Sequence, residues 1–100
     1  MLFLNVNECR QAAGIARAIV AWNLRRIRVK CGFSQERLAF DAEVDRSYLG
    51  GLERGAQNPT VDVLDRIART LSVQLSELFI LPPRGAAPPR PLRSGRRKTL

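Results

Sequence analysis

Apolar residues recur every third or fourth position along most of this chain, and the breaks between the stripes carry capping residues. Val20, Leu24, Ile27 and Cys31 lie at three- and four-residue spacing, which is one face of a helix from about Ala16 to Cys31. Arg25, Arg26 and Lys30 fall on its other faces. Gly32, tolerant of positive φ, predicts its end. Ser34 is an N-cap type whose hydroxyl can accept from a free backbone N–H, and Glu36 in the first turn suits the helix dipole. Leu38 and Ala39 give this second helix its buried side. A third begins at Asp45, carries Tyr48, Leu49 and Leu52 as its stripe, and ends at Gly55. Asn58-Pro59-Thr60 reads as a turn and an N-cap, with Asp62 in the first turn of a fourth helix. Val61, Leu64, Ile67, Ala68 and Leu71 are its expected inward stripe. After a link at Ser72 to Gln74, a short fifth helix from Leu75 to Leu81 is expected. No alternation long enough for a strand is present, so the fold class is all-α with five helices.

The two ends read differently. Residues 1–16 form an N-terminal extension in which Glu8 to Ala13 could be helical, with Gly14 as a break. From Pro82 the chain becomes Pro- and Arg-rich, which predicts a disordered basic C-terminal tail over 82–100. The expected domain is 17–81.

Charge sharpens this division. The net charge of +8 points to an anionic partner. Residues 1–81 hold eleven Lys/Arg against all nine Asp/Glu, a balance of +2, whereas 82–100 hold six Lys/Arg and no acid. The folded part is therefore only mildly basic. At 45% hydrophobic, the chain can bury one small core with a modest stability margin.

Other chemistry finds little support. There is no histidine, and two cysteines cannot supply the usual four zinc ligands. No metal or cofactor is expected. Cys31, at the end of an apolar stripe, predicts a buried inert thiol. A Cys9–Cys31 disulfide is disfavoured in a chain without secretory features. The first residues lack a basic n-region and an adequate h-region, and no apolar run approaches the ~18 residues of a membrane span. A cytoplasmic protein with no membrane partner and no evident small-molecule ligand is expected. No general base, Cys–His pair, phosphate loop or carboxylate pair supports an enzyme.

The second and third helices, Ser34 to Gly55, have the layout of a helix-turn-helix, whose second helix enters the major groove of DNA. Residues 20–81 resemble the Xre family, the Cro and phage-repressor type, with a lambda-repressor-like fold. The resemblance runs through Asn23-Leu24-Arg25-Arg26-Ile27-Arg28, Gly32-Phe33-Ser34-Gln35-Glu36-Arg37-Leu38-Ala39, Val44-Asp45-Arg46-Ser47-Tyr48-Leu49 and Leu52-Glu53-Arg54-Gly55. It continues through Asn58-Pro59-Thr60 and Leu75-Ser76-Glu77-Leu78-Phe79. The run from Arg46 to Gly55 is most similar to small controllers of restriction–modification systems.

Arg46 and Ser47, just past the cap of the recognition helix, are the base-contact candidates. An arginine fork can pair guanine O6 and N7, while serine discriminates weakly. Alternatives for Arg46 are a phosphate contact or a solvated surface position. The resemblance implies that Gln35 grips a phosphate at the start of the second helix. It implies the same for Arg54, Gln57 and Asn58 in the loop after the recognition helix. Tyr48 offers a hydroxyl to phosphate or a ring to the core. The family pairs Glu53 with Arg28, a structural ion pair. It also uses this C-terminal end as a dimer contact, which implicates Leu75, Leu78, Phe79, Ile80 and Leu81; the alternative is a capped core followed by a collapsed linker. Trp22 stands where relatives often have a polar residue, so the N-terminal extension or a partner chain is expected to cover it.

Two positions depart from the family. Gly50 and Gly51 have no side chains where relatives often carry polar ones, and each costs roughly 1 kcal/mol relative to alanine. Close approach of the backbone to DNA or to a neighbouring helix would account for them. Direct readout then rests on few groups, with DNA shape and half-site spacing supplying the rest. Glu43 occupies a turn position where the family often has glycine.

The expected function is a sequence-specific DNA-binding transcriptional regulator, a homodimer on a partly palindromic operator of double-stranded DNA. Rival readings are an antitoxin or restriction–modification controller acting on its own promoter, or a protein-binding adaptor that kept the fold alone.

Overall fold

A computed structural model describes residues 15–83. Residues 1–14, with Cys9 and the helix considered for Glu8 to Ala13, lie outside the described residues, as do residues 84–100 of the expected disordered tail. The order is α1 (Ile15–Lys30), α2 (Gln35–Ala42), α3 (Arg46–Glu53), α4 (Val61–Thr70) and a 3₁₀ helix (Leu75–Phe79). The described fold is all-helical, with four α-helices where five helices were expected and a 3₁₀ turn in the fifth place.

Each helix starts and stops for a local reason. The Ser34 hydroxyl accepts from the Arg37 N–H at 3.0 Å, the Asp45 carboxylate from the Tyr48 N–H at 3.1 Å, and the Thr60 hydroxyl from the Val63 N–H at 3.0 Å. Each bond satisfies one of the free donors of a first turn. α1 closes at Gly32, φ 79°, where the Phe33 N–H returns to the Arg28 carbonyl at 3.0 Å. Glu43 caps α2 in the left-handed region at φ 60°, so the turn keeps its glycine-type geometry without glycine. A side chain there costs roughly 1–2 kcal/mol.

One core joins the elements. α1 packs on α3 and the 3₁₀ helix, α2 on α3 and α4, and α4 on the 3₁₀ helix. Leu24, Leu38, Leu49, Leu52, Ile67 and Leu78 are completely enclosed. Among the described residues, no helix is long and apolar enough to cross a membrane.

Four expectations need correction. Val61 is 67% exposed, not part of the inward stripe. As the first residue of α4 it projects beyond the edge of the core. Cys31 is an exposed free thiol. α1 ends one residue earlier, and the reversal at Gly32 takes Cys31 off the apolar register. The last helix stops at Phe79, because Ile80 is extended at ψ 131° and Pro82 follows. Leu78, expected at a dimer contact, lies in the core of this chain, where it completes the packing of α1 and α4 on the 3₁₀ helix.

Asn23 fixes that last element. It is fully buried, and its Nδ2 lies 3.0 Å from the Ile19 carbonyl, 3.2 Å from Leu78 and 2.7 Å from Ile80. Its Oδ1 accepts from Arg26 Nη2 at 2.9 Å, and the Arg26 guanidinium lies 5.3 Å from the Trp22 ring centroid. Asn23→Ala should therefore destabilise the fold by about 1–3 kcal/mol, because it strips the buried Leu78 carbonyl of its side-chain donor. Urea denaturation measures this loss; a shift near zero would assign the pinning to packing alone.

Candidate nucleic-acid interface

Helix α3 is held in place at its C-terminal end by charge. The Glu53 and Arg28 side chains are only 1% and 4% exposed. Arg28 grips the carboxylate with two donors, Nε to Oε2 and Nη2 to Oε1, the latter at 3.0 Å. Arg28 Nη1 also donates to the Phe33 carbonyl at 2.7 Å, tying the loop after α1 into the same group. Gln35 Nε2 donates to Glu53 Oε1 at 3.0 Å, and Arg25 Nε lies 3.9 Å from that oxygen. The buried Glu53 carboxylate is thus matched by surrounding cations and donors. Sequence reasoning missed Arg25 and the Gln35 bond, since hydrophobic spacing carries no information about polar partners across helices.

The other end of α3 is open. Arg46 and Ser47 are exposed directly after the Asp45 cap, and Tyr48 is half-buried with its ring against the core. Ser47, Gly51 and Arg54 recur at i, i+4 and i+7, opposite the buried Leu49 and Leu52, and define the outward stripe of the helix. Arg54 and Asn58 are exposed and Gln57 is partly covered.

The two glycines are not bare. Both are buried, and neighbouring side chains cover them. A Cβ on Gly50 would meet Arg54 Nη1 at 3.4 Å and Gln35 Oε1 at 3.8 Å, which leaves room for a methyl group. A Cβ on Gly51 would lie 2.8 Å from Gln57 Cγ. Side-chain cover by Gln57 is therefore a reason for glycine at 51 within the chain itself. The structure brings Gln35, Arg54 and Gln57 onto the α3 surface. Arg46 and Ser47 stand apart at its N-terminal end.

The electrostatics hold one minor feature. On α2, Asp41 accepts from Arg37 at 2.7 Å, and this bond and the Asp41 charge raise the pKa of a guanidinium already charged at any ordinary pH. Among the described residues, no group of three or more His, Cys, Asp or Glu is placed to hold a metal ion.

A capped pair of short helices, the second with an exposed N-terminal end and a buried polar lock, defines a helix-turn-helix module. The helix-turn-helix family HTH_3 matches residues 24–78. The chain is 36% identical over 64 residues to the control protein C.BamHI of Bacillus amyloliquefaciens, covering 63% of this chain and 79% of that protein. The crystal structure of the restriction–modification controller C.AhdI of Aeromonas hydrophila superposes with a TM-score of 0.62 at 40% identity, over 63% of this chain and 96% of that one. The controller C.Esp1396I, solved as a tetramer with its natural 35 base-pair operator, gives a TM-score of 0.59 at 33% identity, over 64% and 84%. Other matching regulators are longer, and the chain spans as little as 36% of their length. The chain belongs to the Xre-type helix-turn-helix family of DNA-binding transcriptional regulators.

Proposed function

We propose that this chain is a sequence-specific transcriptional regulator that binds a partly palindromic operator as a homodimer, in the manner of a restriction–modification controller acting on its own promoter. Residues 17–81 are the DNA-binding unit, working in the cytoplasm where its operator lies. The observation that carries this reading is the α3 surface. Its N-terminal end presents the exposed Arg46 and Ser47, its outward stripe ends in the exposed Arg54, and its C-terminal end is fixed by Glu53 to α1 and α2. A reading helix must be rigid on its scaffold for base contacts to be selective. The controller assignment draws on the likeness to C.BamHI, C.AhdI and C.Esp1396I.

In this arrangement α3 enters the major groove, and the two half-sites lie about one helical turn, roughly 10 base pairs, apart. Arg46 pairs a guanine edge, and Ser47 lies against the neighbouring base. Gln35, Arg54 and Asn58 engage phosphates and set the register of the helix. Regulation follows from occlusion or recruitment at a promoter, with no chemical step.

The test begins with selection of preferred sites from random duplexes, followed by titration of the selected site. Arg46→Ala should weaken that site by about 1–3 kcal/mol and relax preference at one base position per half-site. Binding that is weak, indifferent to sequence and unaffected by Arg46→Ala would instead favour a protein-binding adaptor.

A further inference from the structure

Gly51 lies on the outward stripe of α3 and is nevertheless buried, because Gln57 lies over it. A Cβ at position 51 would be 2.8 Å from Gln57 Cγ, 3.1 Å from Nε2 and 3.4 Å from Cδ. The present Gln57 side chain and any side chain at 51 therefore compete for one place. The turn after α3 explains how residue 57 arrives there. Gly55 takes φ 73°, and the Ala56 N–H donates to the Gly51 carbonyl at 2.8 Å, folding the chain back along the last turn of the helix.

We propose that Gln57 is a base-reading residue, its carboxamide standing in for the side chain that the recognition helix lacks at Gly51. The inference rests on the DNA-binding reading above and assigns one of its specificity determinants. Ser47 is short, Gly50 and Gly51 offer no groups of their own, and Arg54 lies at the far end of the helix, so the middle of the outward stripe has no polar group except the one Gln57 lays over it. Gln57 supplies one that starts in the loop and lies across the helix. Its amide offers an acceptor and two donors, the pattern that pairs with adenine N7 and N6. In its present place Gln57 requires that glycine, since a Cβ at 51 would lie 2.8 Å from its Cγ.

Site selection with the full chain and three variants tests this. Gln57→Ala should lose preference at one position per half-site, distinct from the Arg46 position, and weaken the selected site by about 5- to 150-fold. Gln57→Glu should move that preference towards cytosine, whose N4 amino group donates. Gly51→Ala, with folding verified by thermal melting, should evict Gln57 and lose the same preference. The Gly51→Ala/Gln57→Ala double variant should then be no weaker than the worse single variant. Uniform weakening across all sequences by Gln57→Ala, or an unchanged selected site, would overturn this inference alone. A wild-type chain that selects no site would overturn the DNA-binding reading and this inference together.

Discussion

Replacing Glu53 by alanine should cost about 3–5 kcal/mol of folding stability, the largest loss expected from a polar substitution among the described residues. The cause is what remains behind. Arg28 is almost wholly enclosed, and without the carboxylate its guanidinium keeps the Phe33 carbonyl but loses both bonds to its counter-charge. Gln35 loses its acceptor in the same step. A domain of this size has little margin to absorb such a loss, since natural stabilities run from about 5 to 15 kcal/mol. Glu53→Gln should cost less, because an amide oxygen still accepts while the charge is gone. Replacing both partners with apolar residues, Arg28→Met with Glu53→Leu, should recover much of the loss, since no buried charge is then stranded. Urea denaturation of the four proteins decides the matter. A loss below ~1 kcal/mol for Glu53→Ala would mean that water reaches and screens the pair.

Why this lock was legible only in part follows from what periodicity encodes. The helices, their caps and most of the core were readable, because Ser34, Asp45 and Thr60 each precede a stripe of apolar residues at helical spacing. Such signals are local. The Arg28–Glu53 pair entered through family resemblance, and its further partners Arg25 and Gln35 could not be read at all, since they meet Glu53 from separate turns and helices. Asn23 shows the same limit. It sits beside Leu24 with nothing local to mark it, yet its role is to hold carbonyls more than fifty residues away. Cys31 and Val61 failed for the opposite reason. Each continues a stripe in the sequence, but each lies at a helix end where the stripe runs past the core. The double glycine was visible as a gap, whereas the side chain that fills it comes from the loop beyond Gly55.

Phe79→Asp should convert the proposed dimer to monomers and weaken operator binding by more than about 30-fold, the equivalent of an interface hot spot of 2 kcal/mol. Phe79, Ile80 and Leu81 are 48%, 45% and 60% exposed in a row, directly after the enclosed Leu78. The backbone that presents them is fixed, since Asn23 holds the carbonyls on both sides of Phe79. A fixed apolar surface loses little conformational entropy on association, which favours a specific contact with a second copy. In a two-fold dimer the substitution is introduced twice, so two carboxylates would be carried into one apolar contact. The fold itself should survive, because Leu78 continues to fill the core and Phe79 is half in solvent already. On DNA, a monomer can engage one half-site only, and the gain from linking two reading helices is lost. Sedimentation gives the oligomeric state, and titration on full and half operators gives the binding loss. The variant should bind both duplexes with nearly the same affinity, whereas the native chain should strongly prefer the full site. A dimer unchanged by Phe79→Asp would move the interface to another face of the molecule.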